Sequence, residues 1–143
     1  MNFKTIIILC LTLISMHSQA HNVANAKVFI SFSMPDELLN QVAVESVKLK
    51  VPLILNGLYK NSMRKTLNKI FDITKKNKGV SIQIDPVAFK KYSIMQVPSV
   101  VVEDGNKFDV ITGNIKIEQA LEYISEKGET KFNVTSFLKA RHV

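Results

Sequence analysis

Residues Ser81 to Gly113 read SIQIDPVAFKKYSIMQVPSVVVEDGNKFDVITG, and the order of signals in this stretch decides the fold. Val80 to Ile84 has the β-branched content of a short strand. Asp85 then offers a side-chain acceptor for a helix N-terminus, and Pro86 a preset φ at the first helical position, so a helix of about two turns follows through Tyr92. Pro98 keeps the residue before it extended, which makes Val97-Pro98 a break rather than a continuation. Ser99 to Glu103 is a strand, Asp104-Gly105-Asn106 a turn, and Lys107 to Thr112 a strand that pairs back.

Working towards the N-terminus, Lys27 to Phe32 (KVFISF) reads as a buried strand. Ser33 and Asp36 have the spacing of a capping box, and Asp36-Glu37 suit the positive end of a helix dipole. Leu38, Leu39, Val42, Ala43 and Val47 mark one apolar face of the helix that follows, to about Lys50. Val51 to Tyr59 (VPLILNGLY) is a second strand. Asn61 or Ser62 caps a second helix, on which Met63, Leu67, Ile70 and Phe71 recur at helical spacing and which stops at Gly79. A right-handed crossover makes the first two strands parallel neighbours. Towards the C-terminus, Ile117, Ala120, Leu121 and Ile124 trace the apolar stripe of a helix ending near Gly128, although Lys116 is a poor N-cap for it. The tail, Glu129 to Val143, contains Phe132, Val134, Phe137 and Leu138, too apolar for a plain linker. The expected fold is α/β: a mixed central sheet of about five strands flanked by helices. Residues 27–128 are the expected domain, preceded by a flexible lead-in at 21–26 and followed by a tail at 129–143.

The first 20 residues are expected to be a secretory signal peptide. Lys4 precedes an apolar run from Ile6 to Ile14, and Ser18-Gln19-Ala20 supplies small residues at the two specificity positions for cleavage after Ala20. That run is shorter than the ~20 residues a bilayer requires. The only cysteine, Cys10, lies inside the signal, so the mature chain is expected to contain neither thiol nor disulfide and to rely on its core for stability. The net charge is +7 and falls by one, to +6, when Lys4 leaves with the signal. Its distribution is uneven. Between Lys60 and Lys78 seven basic residues face a single acid, Asp72, and the rest of the mature chain sums to zero. Arg64, Lys65, Lys69, Lys75 and Lys76 form the candidate basic interaction face, to be weighed against an ordinary solvated helix surface.

The order of elements is similar to a thioredoxin-like domain with one extra strand and helix. In that resemblance Ser33-Met34-Pro35-Asp36 falls where thioredoxins carry Cys-x-Pro-Cys, and Val97-Pro98 falls where they carry a cis proline beside the catalytic thiols. The proline of the tetrad is kept and both sulfurs are absent. Thiol–disulfide exchange requires a thiolate. A serine hydroxyl is far harder to ionise, and His21 and His142 are both terminal, so Ser33 and Asp36 are read as helix caps rather than catalytic groups.

The segments FISFSMPDELL, VPLILNGLY, IDPVAFKKYSIMQVPSVVV and ITGNIKIEQALEYI together resemble a narrower family, the TrbC proteins of F-type conjugative transfer systems, from Lys27 to about Lys127. Where this resemblance leads one to expect a basic residue, the chain has Asn56. The resemblance implies a periplasmic, non-enzymatic pilus-assembly factor of a type IV secretion system, working with the assembly protein TraW and with pilin, without cofactor or metal. Ser33, Met34, Pro35, Val97 and Pro98 are then the candidate partner-binding residues. The backbone of Val97 would pair with an extended segment of the partner, unless Val97-Pro98 is simply a rigid turn that aims the next strand. Two other readings stand beside it. One is a basic exported module whose Lys60 to Lys78 helix binds nucleic acid or an anionic membrane, although no interleaved aromatics offer a stacking platform for bases. The other is a thioredoxin-like enzyme using a non-thiol group, for which Asp36, Asp85 and Glu103 are the available carboxylates.

Overall fold

A computed structural model describes residues 24–141. The signal-peptide expectation for residues 1–20, Cys10, His21 and His142 all lie outside the described residues. Five strands form one mixed sheet in the order β3-β2-β1-β4-β5. They are β1 (Asn25–Ile30), β2 (Leu53–Leu55), β3 (Ile82–Ile84), β4 (Ser99–Asp104) and β5 (Lys107–Thr112). The first three run parallel, with Val28 opposite Leu53 and Leu53 opposite Ile82, as right-handed crossovers require. β4 returns antiparallel to β1, placing Ser99 opposite Phe29, and β5 closes the hairpin. Gly105 takes the positive φ of 63° that the Asp104–Lys107 turn demands.

Among the described residues five helices flank the sheet: α1 (Asp36–Leu49), α2 (Met63–Lys76), α3 (Pro86–Lys91), α4 (Ile117–Lys127) and α5 (Val134–Lys139). Strand side chains alternate between faces, so Val28 and Ile30 point one way and Phe29 the other. The first face gathers Val28, Ile30, Leu53, Leu55, Val100 and Val102 under α1, α2, α4 and α5. The second is smaller: Phe29, Ile54 and Val101 lie under Ala88 and Phe89 of α3, with Tyr92 just after it, and Phe29 meets the Phe89 ring edge-on at 4.8 Å. The tail belongs to the larger core. Phe132 and Phe137 are buried against each other at 5.2 Å, and Arg141 Nη1 donates to the Lys50 carbonyl at the end of α1.

Several boundaries differ from the sequence reading, each for a local reason. β1 begins at Asn25, inside the expected lead-in, because Asn25 and Ala26 pair with Glu103 and Val102. It ends at Ile30 because Ser31 to Met34 folds into a turn closed by the Met34 amide donating to the Ser31 carbonyl at 3.1 Å. β2 stops at Leu55 rather than reaching Tyr59, and a short 3-10 turn at Tyr59–Asn61 follows, with Lys60 and Asn61 both at positive φ. α2 is capped by Asn77, two residues before Gly79. The capping box is overturned: α1 starts from Pro35 in extended conformation and its N-terminus has no side-chain cap. The Ser33 hydroxyl is engaged with that of Ser31 instead, at 2.8 Å.

The largest correction concerns α2. Its inward side is Thr66, Ile70 and Ile73, whereas Met63, Leu67 and Phe71 face outward. Thr66 is buried because it has work for its hydroxyl, which donates to the Ser62 carbonyl at 2.7 Å and accepts the Tyr59 amide at 2.8 Å. That pair of bonds ties the Asn56–Asn61 segment to the start of α2.

Candidate binding groove

Three loops converge at the carboxyl ends of β1 and β2 and the amino end of β4. β1 is the strand at which the chain's winding direction reverses, the usual place for a ligand site in an open α/β sheet. The Ser31–Pro35 loop leaves β1, the Asn56–Lys60 loop leaves β2, and the Ile94–Pro98 loop enters β4. Between them lie two adjoining hollows that share Ser31, Ser33 and Asn56. One, of about 250 Å³, is walled by Phe89, Ile94, Met95, Gln96 and Val97. The other, of about 370 Å³, is walled by Phe32, Leu55, Leu58, Tyr59 and Lys60. Together they form an open groove across the end of the sheet.

Sequence reasoning named five residues here, and the fold brings all five to this end of the sheet. Val97-Pro98 is cis, with Pro98 buried and its carbonyl accepting the Gly113 amide at 3.0 Å. The Ser99 hydroxyl holds the loop, donating to the Gln96 carbonyl and bonding Thr112 Oγ1, both at 2.7 Å. Val97 is half-buried, and neither its amide nor its carbonyl has a hydrogen-bond partner among the described residues. Ser33 and Pro35 are exposed, but Met34 is not. Its side chain is only 7% exposed within the larger core, and its sulfur accepts the Ser31 amide at 3.5 Å, so Met34 shapes the loop from beneath. Sequence reasoning passed over Met95, at 91% the most exposed large apolar side chain among the described residues, and Leu58 on the opposite lip. For Met95 the available signal was an apolar loop residue two positions before the Val-Pro step.

The groove presents serine hydroxyls, one asparagine and apolar side chains. Ser31 and Ser33 hydrogen-bond each other, and the segment 24–141 contains neither cysteine nor histidine. The perturbed titratable groups sit elsewhere. At the α3–β4 side Lys91 and Tyr92 both bond Glu103; the Lys91 ammonium first, then the Tyr92 hydroxyl, holds that carboxyl below its usual range against the opposing effect of burial. Burial, then the Glu103 bond, raises the Tyr92 hydroxyl. On β5, burial pushes Asp109 upward, but the Thr130 hydroxyl and the amides of Glu129 and Thr130 outweigh it and leave the carboxyl lowered. These clusters fasten elements together and do not line the groove.

The basic face divides in two. Lys69 is not free: it pairs with Asp36 at 3.3 Å and lies over the rings of Phe32 and Tyr59 at 5.7 and 5.2 Å. It and Lys76 line the cleft between α1 and α2. At 3.6 residues per turn, Lys65 shares that side, whereas Arg64 and Lys75 stand on the opposite flank, beyond the exposed Met63, Leu67 and Phe71. No three acidic, histidine or cysteine side chains among the described residues are grouped to hold a metal ion.

Residues 28–124 match the family described as type-F conjugative transfer system pilin assembly protein. The periplasmic protein TrbC of Escherichia coli (strain K12) is 33% identical over 106 residues, which is 74% of this chain and 50% of that relative. The chain thus spans about half the length of the curated relative it matches. Among solved structures, the exposed lipoprotein thioredoxin Etrx1 from Streptococcus pneumoniae strain TIGR4 superimposes with a TM-score of 0.54 at 13% identity, over 74% of this chain and 86% of that one. The MTB DsbF structure follows with a TM-score of 0.50 at 14% identity, over 72% and 79%. At such identities the likeness shows the fold alone: the domain is thioredoxin-like.

Proposed function

The chain belongs to the TrbC family of type-F conjugative transfer pilin assembly proteins, and on that premise we propose that it is a periplasmic, non-enzymatic assembly factor that binds an extended segment of a protein partner across the end of its sheet. The partner is a TraW-like assembly protein, with pilin as a further client. The observation that carries this reading is the unpartnered main chain of Val97 at the edge of an open groove lined by both apolar and polar side chains. An extended peptide laid there gains main-chain hydrogen bonds from Val97. Met95 and Ile94 on one side, and Leu58 and Tyr59 on the other, select its side chains. The tetrad Ser33-Met34-Pro35-Asp36 supports the non-enzymatic part, because it carries no cysteine sulfur, its Ser33 hydroxyl is bonded to that of Ser31 and its Asp36 carboxylate is paired with Lys69.

Copurification from the periplasm of conjugating cells tests the partner. The native protein should recover a TraW-like protein, and Met95→Asp should lose most of it while leaving the circular dichroism spectrum unchanged. Equal recovery by the two proteins would remove the groove from the account. Insulin-disulfide reduction by the purified protein should match buffer alone, and sustained turnover would replace the assembly-factor reading with an enzymatic one.

A further inference from the structure

We propose that α2 is a membrane-surface contact, whose Met63, Leu67 and Phe71 enter the headgroup boundary of an anionic bilayer while Arg64 and Lys75 meet lipid phosphates. These three side chains are 51%, 53% and 64% exposed, and they stand four residues apart along a 14-residue helix, so they form one ridge. The ridge is not a by-product of a helix with too few inward residues. Thr66, Ile70 and Ile73 already fill the contact with the body of the domain, so the apolar arc of α2 is wider than the fold uses. Arg64 and Lys75 border the ridge on the side away from the core, and Lys60 and Lys78 lie beyond its two ends. The single acid between Lys60 and Lys78, Asp72, falls on another side of the helix.

An apolar strip with cations along its border fits a surface of acyl chains beneath anionic headgroups, and the two attractions reinforce each other there. Shape and area favour a bilayer over a protein. α2 joins β2 to the edge strand β3 and so stands at the margin of the sheet, where the ridge is exposed and lines neither the groove nor the α1–α2 cleft. Three half-exposed side chains present on the order of 300 Å² of apolar area. A stable contact with a second copy requires about 800 Å² from each partner.

Cosedimentation with vesicles tests the proposal on the purified protein. Phosphatidylglycerol–phosphatidylcholine vesicles should retain it and pure phosphatidylcholine vesicles should retain little. Phe71→Ser should weaken retention about tenfold or more, and Arg64→Gln with Lys75→Gln by a similar factor, each without a change in thermal unfolding. Leu67→Gln serves as a second ridge variant should Phe71→Ser fold poorly. Met95→Asp should bind vesicles normally, which keeps this test separate from that of the groove. Failure of the native protein to bind anionic vesicles would overturn the proposal, as would full retention of the ridge variants. A concentration-dependent dimer, abolished by Phe71→Ser in analytical ultracentrifugation, would also overturn it, by assigning the ridge to a second copy.

Discussion

Helices α2 and α4 lie on the same face of the sheet and have similar apolar periodicity, yet they are used differently. α4 buries its whole stripe, with Ile117, Ala120, Leu121 and Ile124 all at 1% exposure or less. α2 buries one threonine and half-buries two isoleucines, leaving three large apolar side chains in solvent. Periodicity reports how wide an apolar arc is, but not how much of it the body of the protein covers. α4 packs against α1 and lies over the hairpin of β4 and β5, so every residue of that stripe finds a wall, and of its apolar residues only Tyr123, off the stripe, stands in solvent. α2 stands at the edge of the sheet, where there is protein on one side only.

The sharpest way to break this comparison is to truncate one leucine from each helix. Leu121 is fully buried, and Leu121→Ala should cost about 2–5 kcal/mol from lost burial and the cavity left behind. Leu67→Ala should stay within about 0.5 kcal/mol, because solvent already reaches the side chain. Urea titration of both variants measures the difference. Comparable losses would mean that the Met63–Leu67–Phe71 ridge is covered in solution.

What the sequence disclosed follows the same division. The parallel strands, the hairpin, the Asp85 cap on α3 and the α4 stripe were legible because each depends on residues close in the chain; the Asp85 carboxylate accepts the Ala88 amide at 2.9 Å as its spacing implies. The outward turn of α2 was not legible, since nothing within Met63–Lys76 records that it borders an edge strand. Lys116 read as a poor cap because the group that does the capping, Glu45, lies 72 residues before the Ile117 amide it accepts. Ser33 and Asp36 had the right spacing for a capping box, but the turn from Ser31 to Met34 and the extended Pro35 start the helix too late for Ser33 to reach it. In the groove, Val97 and Pro98 were legible as a step in the chain, whereas Met95 and Leu58 become neighbours of the same hollow system only once the sheet is assembled.

The ends of the two helices sharpen the contrast further. α2 finishes on Asn77, whose side chain donates to Asn40 of α1 at 3.1 Å and to its own helix at Ile73. α4 finishes on Gly128, where an added Cβ would collide with Asp109, and that carboxylate clamps the next two residues through the amides of Glu129 and Thr130 and the Thr130 hydroxyl. Asp109→Ala should therefore cost about 1.5–3 kcal/mol, the range for hydrogen bonds to a charged group, and release the tail that carries Phe132 and Phe137. Its pH dependence has a definite sign. The folded carboxyl is lowered from 3.8, so its stabilisation is present above that value and disappears as pH falls through the folded-state value. Acid unfolding of Asp109→Ala should accordingly show less loss over that range than the native protein, and parallel acid limbs would remove the clamp from the account.

The smallest effect concerns how the two helices begin. α2 is capped from within its own segment, the Ser62 hydroxyl accepting the Lys65 amide at 3.4 Å. α4 is capped from across the fold, Glu45 Oε2 of α1 accepting the Ile117 amide at 2.7 Å. The second bond is shorter and carries a formal charge, and the carboxylate also meets the positive end of the α4 dipole. Glu45→Ala should cost about 1 kcal/mol and Ser62→Ala about 0.5 kcal/mol, both within the usual range for a lost N-cap. Hydrogen exchange distinguishes their origins as well as their sizes. Loss of Glu45 should speed exchange at the first turn of α4, far away in sequence, whereas loss of Ser62 should act only on the adjoining turn of α2. If Glu45→Ala left the Ile117 amide as protected as before, α4 would owe its starting point to the burial of Ile117 alone, and the difference between the helices would lie wholly in what covers them.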